Sequence, residues 1–296
     1  MNSELLNILK TLPFTEVSKG INLVTGDSYS TLSKLPDNLF QTCVTSPPYW
    51  GLRDYGISNQ IGSEFDLSEY INNLVKVFRE VKRTLRKDGT LWLNIGDSYT
   101  SGNRTWRDSD KKNAGRAMSY RPPTPEGLKP KDLIGVPWKI AFALQEDGWY
   151  LRSDIIWNKP NCQPESVKDR PTRSHEYLFL LTKAERYLYN YKSIQEATIT
   201  NQGQKNKRSV WSINTEGFPG SHFAVFPREL VRTCILAGSD ENSLVLDPFL
   251  GSGTVGEICK TYQRNFLGIE LNPDYVNLSI DRISKIDDFS LFKTGS

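Results

Sequence analysis

Cysteine, histidine and long apolar runs are scarce in this sequence, and each scarcity excludes a class of protein. The cysteines are Cys43, Cys162, Cys234 and Cys259. They form no CxxC pair, which argues against a disulfide scaffold or structural zinc and favours a reducing, cytoplasmic location. With two histidines we expect no histidine-rich metal site, and no run approaches the roughly 18 apolar residues of a membrane span.

The basic residues are unevenly distributed, although the net charge of the 296-residue chain is only +3. Residues 98–131 hold eight Lys or Arg against three acidic residues, and they lack apolar periodicity. A second basic segment, residues 201–208, precedes Trp211. Cationic and aromatic side chains in such segments suit phosphate neutralisation with base stacking, although solvated surface loops have the same composition.

Strand and helix signals alternate along the rest of the chain. Predicted strands span residues 21–25, 40–44, 90–95, 150–157, 177–182, 243–246 and 266–269. Predicted helices span residues 68–86, 134–144, 230–237 and 254–262, and a last one begins at Asn272-Pro273. This alternation predicts parallel strands joined by crossover helices, an α/β sheet that is covered on both faces.

A glycine turn follows the strand at residues 243–246. Its sequence, Asp-Pro-Phe-Leu-Gly-Ser-Gly-Thr, leads from Asp247 into a helix, and Glu270 ends the next strand. Convergent backbone N–H groups at such a turn bind nucleoside cofactors, and an acid on the next strand accepts from ribose hydroxyls. Gly251, Gly253 and Gly256 also fit the dinucleotide fingerprint, so an NAD-dependent dehydrogenase is an alternative. Asp247 weakens it, because an acid at the strand tip attracts an ammonium or sulfonium and repels a pyrophosphate.

A second strand ends abruptly in Ser46-Pro-Pro-Tyr49. The two prolines fix the backbone and remove two N–H donors, so the carbonyls of Ser46 and Pro47 have a rigid direction. The Ser46 hydroxyl adds an acceptor, and Tyr49 and Trp50 add aromatic faces. This combination suits a planar group that carries an amine, which would stack on Tyr49 and donate to Ser46 Oγ and the Pro47 carbonyl. A surface turn beside a core aromatic is the simpler interpretation of the tetrapeptide alone.

Together, the motifs resemble the permuted, β-type DNA amino-methyltransferases, which transfer a methyl group from S-adenosylmethionine. In that family the catalytic tetrapeptide comes early and the glycine turn late, as here. The matching segments in family order are residues 26–27, 46–49, 89–97, 154–160, 222–227 and 247–254. The resemblance implies a Rossmann-like, doubly wound, mostly parallel sheet of the class I methyltransferase fold, with an inserted DNA-recognition region.

The resemblance also implies roles for individual residues. The catalytic pocket would consist of Ser46, Pro47, Pro48 and Tyr49. The cofactor-binding residues would be Asp27, His222, Phe223, Pro227, Asp247, Phe249, Gly251, Ser252, Gly253, Thr254 and Glu270. Within this set Glu270 would hold the ribose hydroxyls and Asp27 the adenine amine. His175 is interpreted as structural, because it stands at the start of a predicted strand.

The chain is expected to divide into three functional parts. Residues 1–157 would form the catalytic half with the basic loop 98–131, residues 158–220 the target-recognition region, and residues 221–296 the cofactor-binding half. The expected DNA contacts are Trp50, Arg53, Arg104, Arg107, Lys111, Lys112, Arg116, Lys168, Arg170, Arg173, Lys205, Lys207 and Arg208. The loop after Trp50 could fill the space that a flipped base leaves.

The expected reaction is direct attack of a flipped base's exocyclic amine on the methyl group, without a covalent enzyme intermediate. Serine at the first motif position resembles the cytosine-N4 members more than the adenine-N6 members, which usually carry Asp or Asn; adenine-N6 methylation is the alternative. A DNA-binding module without activity is a further alternative, which the intact motifs disfavour. The expected partners are duplex DNA and a cognate restriction endonuclease, and the expected state is a monomer or homodimer.

Overall fold

A computed structural model describes residues 3–52, 57, 60–101, 122–198, 203–217 and 226–286. The helices are α1 (Ser3–Leu9), α2 (Ser28–Leu32), α3 (Leu67–Thr84), α4 (Val136–Glu146), α5 (Arg228–Gly238), α6 (Thr254–Thr261) and α7 (Pro273–Ser284). The strands are β1 (Phe14–Ser18), β2 (Ile21–Thr25), β3 (Phe40–Thr45), β4 (Leu85–Ile95), β5 (Tyr150–Asn158), β6 (His175–Thr182), β7 (Glu196–Ala197), β8 (Gln204–Lys205), β9 (Val210–Ser212), β10 (Leu244–Asp247) and β11 (Asn265–Glu270).

Among the described residues, nine strands form one sheet in the order β1-β2-β11-β10-β3-β4-β6-β5-β9, while β7 and β8 form a separate ribbon. Strands β1 and β6 run against the other seven. The carboxyl ends of the parallel strands therefore share one edge of the sheet with the amino end of β6. The α/β class with a mostly parallel sheet is confirmed.

Helices cover both faces of the sheet, as the alternation of signals predicts. Apolar side chains of α1 to α4 pack on one face, and those of α5 to α7 pack on the other. Successive β3 residues divide between the two cores: Cys43 belongs to the first and Val44 to the second. This division follows from the two-residue period of a strand, and it is why β3 is buried throughout.

Helix α3 shows how local sequence sets an element's limits. The Asp66 side chain accepts from Ser68 N at 2.8 Å and caps the helix, whose apolar residues recur at three- and four-residue spacing. The helix ends at Thr84 rather than at the predicted residue 86, because Leu85 already begins β4. Strand β4 is accordingly longer than the predicted 90–95.

Helix α4 begins two residues later than the predicted position 134. Gly135 adopts a left-handed conformation with φ +78°, and the Asp97 carboxylate accepts from the backbone N–H groups of Gly135 and Val136 at 3.0 Å each. The carboxylate of a distant loop thus supplies the cap, which the local sequence cannot reveal.

The three-part division of the chain stays a prediction, but β6 lies inside the range assigned to target recognition. This strand is the sheet partner of both β4 and β5, and Leu178, Phe179 and Leu181 on it are fully buried. Residues 175–182 therefore belong to the central sheet, and DNA recognition within 158–220 is left to the segments around that strand. In the described part of the chain, no helix is long and apolar enough to cross a membrane.

Candidate active site

The two motifs meet where β3 and β10 end side by side. The strands are parallel neighbours, with Leu246 paired to Cys43, and Thr45 Oγ1 donates to Asp247 Oδ1 at 2.7 Å. After β10 the chain crosses to β11 on one side, and after β3 it crosses to β4 on the other side. The two crossovers lead in opposite directions, so the boundary between β3 and β10 is a topological switch point of the sheet. Ligands bind in the crevice that such a switch point opens outside the carboxyl ends of the strands.

Asp247 is a buried acid at the floor of this crevice. Its side chain accepts from Thr45 Oγ1 and from Phe249 N at 3.1 Å, and the residue is 2% exposed. Burial raises the pKa of Asp247 to about 7, more than the two hydrogen bonds lower it, and the Glu270 charge adds to the rise. A cation beside Asp247 would offset the cost of ionising this buried carboxyl, so the residue is suited to a positively charged ligand.

The glycine turn between β10 and α6 is held by the next strand. Gly251 N and Asn272 N donate to the two carboxylate oxygens of Glu270 at 2.9 Å each. Gly253 has φ +80°, and a Cβ there would lie 2.9 Å from Ser279 Cβ, so a side chain would strain the backbone and collide with α7. The turn therefore needs glycine at this position, and Glu270 braces it.

Arg282 of α7 supports the same turn from behind. Its Nη1 donates to Thr254 Oγ1 at 2.9 Å and to Ser252 Oγ at 3.1 Å, while its Nε donates to Glu257 Oε2 at 2.6 Å. Arg228 at the start of α5 pairs with the other oxygen of Glu257 at 2.8 Å. The Ser252 and Thr254 hydroxyls, which are expected to contact the cofactor, thus also accept from the buried guanidinium of Arg282. These hydrogen bonds fix the turn.

The Ser46-Pro-Pro-Tyr tip faces the crevice from β3. Pro47 is buried, and the Pro48 carbonyl accepts from Tyr70 Oη at 2.8 Å, which anchors the tip to α3. Tyr49 Oη donates to Glu176 Oε2 at 2.7 Å. A Cβ on residue 96 would lie 2.7 Å from Tyr49 Cε2, so Gly96 leaves room for the ring.

Sequence reasoning missed three polar residues that surround this tip. Asn94, at the end of β4, lies 3.4 Å from Ser46 Oγ and 3.2 Å from Glu176 Oε2. Lys159, one residue beyond β5, pairs with Glu176 Oε1. Each of the three stands at an end of an apolar strand, and that position is the signal that could have identified them.

The remaining predicted cofactor residues lie along the same edge or outside the described residues. Asp27 follows β2, is exposed, and accepts from Ser30 N at 2.8 Å as the cap of α2. Phe249 packs edge-on against Phe78, with the ring centroids 6.3 Å apart. Pro227 is buried at the cap of α5. His222 and Phe223 lie outside the described residues.

Trp50 is buried, so its side chain is not available for the DNA contact expected of it. The side chain is 5% exposed and belongs to the core, and its Nε1 donates to the Glu64 carbonyl at 3.0 Å. Its large apolar ring is worth more in the core than at the surface, and its single donor is satisfied there. The expected DNA contacts that fall outside the described residues are Arg53, Arg104, Arg107, Lys111, Lys112 and Arg116.

The other expected DNA contacts divide by their partners. Arg170 pairs with Glu165 at 2.6 Å, Lys207 pairs with Glu196 at 2.8 Å, and Arg173 lies 3.9 Å from Asp97 with only 16% of its side chain exposed. Lys168 and Arg208 are exposed, and Lys205 is half-buried. The exposed pair is therefore better placed to meet phosphates than Arg173 and Lys207 are. His175 packs against Tyr177, with the ring centroids 5.6 Å apart, and burial lowers its pKa.

Taken together, the residues fit a cationic nucleoside cofactor. The crevice combines a buried acid that gains from a cation, a glycine turn with N–H groups, and Glu270 on the adjoining strand tip. On the β3 side it presents hydroxyl and carbonyl acceptors beside an aromatic ring. The fold and this site define a class I methyltransferase.

The comparisons with known proteins give the family. The family model described as DNA methylase, which covers N6 and N4 methyltransferases, matches residues 40–281, and the chain belongs to this family. The chain is 63% identical over 266 residues to the Type II methyltransferase M.SmaI of Serratia marcescens, covering 90% of this chain and 91% of that protein. The family removes the dehydrogenase alternative that the glycine spacing left open.

Solved structures agree on the fold. The PvuII cytosine-N4-specific DNA methyltransferase matches with a TM-score of 0.66 at 19% identity, covering 90% of this chain and 86% of that one. M1.HpyAVI, solved as a complex with S-adenosylmethionine, matches with a TM-score of 0.58 at 17% identity, covering 88% and 98%. The class I fold expected from the motifs is confirmed.

Proposed function

We propose that this Type II DNA methyltransferase methylates the exocyclic N4 amine of cytosine in duplex DNA. The methyl donor is S-adenosylmethionine. The observation that carries the proposal is the contact between the two motifs: the Thr45–Asp247 hydrogen bond joins the strand that precedes Ser46 to the strand that precedes the glycine turn. An amine held at Ser46 is thereby next to a cofactor held at Asp247.

The choice of cytosine depends on Ser46. A serine hydroxyl is a neutral acceptor, and Ser46 resembles the first motif residue of the cytosine-N4 enzymes. The PvuII enzyme, whose name describes it as cytosine-N4-specific, has the same fold. Adenine N6 is the other substrate that the family allows, and the product analysis below separates the two.

We propose that the target base is flipped out of the duplex. Ser46 is half-buried and Asn94 beside it is 2% exposed, so the acceptors lie below the surface of the protein. An amine that is still paired and stacked in a duplex cannot reach that depth. The exposed cations Lys168 and Arg208, together with the basic loop 98–131, are proposed to hold the phosphates.

The residues of the crevice divide the work of the reaction. Asp247, Glu270 and the turn at Gly251 would hold the cofactor, which supplies an electrophilic methyl group on a positively charged sulfur. Ser46 Oγ and the Pro47 carbonyl accept from the two N–H groups of the amine and direct the nitrogen lone pair out of the base plane. The nitrogen–carbon bond forms as the sulfur–carbon bond breaks, and the nitrogen then loses a proton to water. Catalysis is by positioning and fixed dipoles.

The test is the chemical identity of the product. Wild-type protein, labelled S-adenosylmethionine and duplex DNA are incubated, and the DNA is digested to nucleosides. We expect labelled N4-methylcytosine. Labelled N6-methyladenine would overturn the base assignment and leave the enzyme class intact, whereas DNA binding without transfer would favour the inactive-module alternative. DNA methylated by the protein would also resist the cognate endonuclease that we propose for it.

Variants test the division of labour. Ser46→Ala and Tyr49→Ala are expected to lower turnover far more than cofactor affinity, whereas Asp247→Ala should weaken cofactor binding. Ser284→Ala, at the exposed end of α7, is the matched control and should leave both unchanged. Equal loss of cofactor affinity in the three site variants would contradict the assignment.

A further inference from the structure

An ion pair lies behind the Ser46-Pro-Pro-Tyr tip. Lys159 and Glu176 each have 17% of their side chains exposed, and Lys159 Nζ also lies 4.3 Å from the centroid of the Trp157 ring. The backbone fixes both partners, because Lys159 N donates to the Ser174 carbonyl at 2.7 Å and Glu176 pairs with Trp157 in the sheet. Glu176 is thus a well-anchored carboxylate beside the pocket.

The second oxygen of Glu176 binds two groups of the pocket. Glu176 Oε2 accepts from Tyr49 Oη at 2.7 Å and from Asn94 Nδ2 at 3.2 Å. Asn94 Nδ2 donates its other proton to the Tyr177 carbonyl at 3.1 Å. Both amide protons of Asn94 therefore have acceptors on the β6 side, and its Oδ1 must face the opposite side, toward Ser46.

This arrangement determines where the single proton of the Ser46 hydroxyl goes. Asn94 Oδ1 lies 3.4 Å from Ser46 Oγ, and Tyr49 Oη lies 3.5 Å from it. Both are acceptors toward Ser46, because Tyr49 gives its own proton to Glu176. Burial and the Glu176 charge raise the pKa of Tyr49 well above its usual value, so the phenol keeps that proton. Contacts of this length commonly tighten when substrate binds.

We propose that Glu176 is a positioning residue for methyl transfer: through Asn94 and Tyr49 it draws the Ser46 proton away from the crevice and leaves a lone pair of Ser46 Oγ for the target amine. The inference rests on the proposed function, in which Ser46 accepts from that amine. Without the carboxylate, the Asn94 amide is held by the Tyr177 carbonyl alone, and the Tyr49 hydroxyl loses its acceptor and can donate to Asn94 Oδ1 or to Ser46 Oγ instead. The serine would then direct its proton at the amine and repel it.

The experiment compares Glu176→Gln with wild type in single-turnover methylation. We expect the transfer rate to fall by about tenfold to a hundredfold, while dissociation constants for S-adenosylmethionine and for duplex DNA stay within about twofold. The matched control is Glu80→Gln, because Glu80 is 18% exposed and pairs with Arg83 at 2.8 Å far from the crevice. An unchanged rate in Glu176→Gln would overturn the proposal.

A double-mutant cycle separates positioning from a purely structural role. If Glu176 acts through Ser46, adding Glu176→Gln to Ser46→Ala should lower the rate by less than twofold more. Losses that multiply would overturn the proposal. Asn94→Ala removes the acceptor that draws the Ser46 proton away from the crevice, so it should lower the transfer rate in the same way, and it takes the place of Glu176→Gln if that variant does not fold.

Failure of the proposed function remains distinguishable from failure of this inference. If wild-type protein puts no methyl group on any exocyclic amine, the proposed function is wrong. If wild type methylates and Glu176→Gln does so at the same rate, only the positioning role is wrong. If the product is N6-methyladenine, the cycle still applies, because Ser46 then faces another exocyclic amine.

Discussion

Asp247 should make cofactor binding depend on pH, with a midpoint near neutrality. In the free protein its pKa is raised to about 7, chiefly by burial. A cationic cofactor binds the ionised form, so affinity is lost as the pH falls through the pKa of the free protein. For a pKa of about 7, the ionised fraction falls about tenfold between pH 8 and pH 6, and the dissociation constant should rise by the same factor.

The same shift has a consequence for the stability of the free protein. The pKa of Asp247 in the folded protein, about 7, lies well above the usual range for an aspartate, so the folded state binds this proton more tightly than the unfolded state does. The protonated form therefore favours folding below about pH 4, and that advantage is lost as the pH rises through about 7. This difference in pKa between the folded and unfolded states corresponds to about 4 kcal/mol of folding free energy.

Asp247→Asn tests both statements. The asparagine keeps an oxygen for Thr45 and Phe249 N, but it cannot ionise. Calorimetric titration with S-adenosylmethionine should show weaker binding at pH 8 and little further loss at pH 6, and thermal unfolding should show stabilisation of the free variant at pH 8 but not at pH 4. Because the ligand is the same, the variant also controls for ionisation of the cofactor itself. Wild-type affinity that is flat with pH, or an equal slope in the variant, would refute the reasoning.

The glycine turn and the tyrosine ring give two further predictions. Arg282→Met should lower the free energy of unfolding by about 3–5 kcal/mol, because it leaves Glu257 buried without its closer partner. Denaturant titration measures this, and Arg86→Met, whose partner Asp88 is exposed as Arg86 is, is the control that should change little. Gly96→Ala should slow methylation without changing cofactor affinity, because the new Cβ would lie 2.7 Å from Tyr49 Cε2; loss of cofactor binding in this variant would contradict the separation of the two half-sites.

The sheet and the cofactor side of the crevice could be predicted because their signals are local. Strands β3 and β10 are apolar runs that stop at a proline pair and at a glycine turn, and family order indicated that they meet. The short strands β1 and β9 went unpredicted, because edge strands of a few residues bury too little to show a pattern.

The hydrogen bonds that link Ser46 to Glu176 through Asn94 and Tyr49 could not be predicted, because their geometry depends on strand direction. The apolar run at 177–182 predicts a strand, but such a run has the same pattern whichever way the strand runs in the sheet. Strand β6 runs antiparallel to its neighbours β4 and β5. Its second residue, Glu176, therefore lies at the edge of the sheet where β3 and β4 end. Tyr49 and Glu176 are 127 positions apart, and no local pattern relates them.

The hydrogen bond between Thr45 and Asp247 connects the two halves of the crevice directly. A cation at Asp247 changes the charge on the acceptor of Thr45, the residue that immediately precedes Ser46. If bound cofactor strengthens binding of the base through this contact, then bound base must strengthen binding of the cofactor by the same free energy. The enzyme can thus favour formation of its ternary complex through one buried hydroxyl.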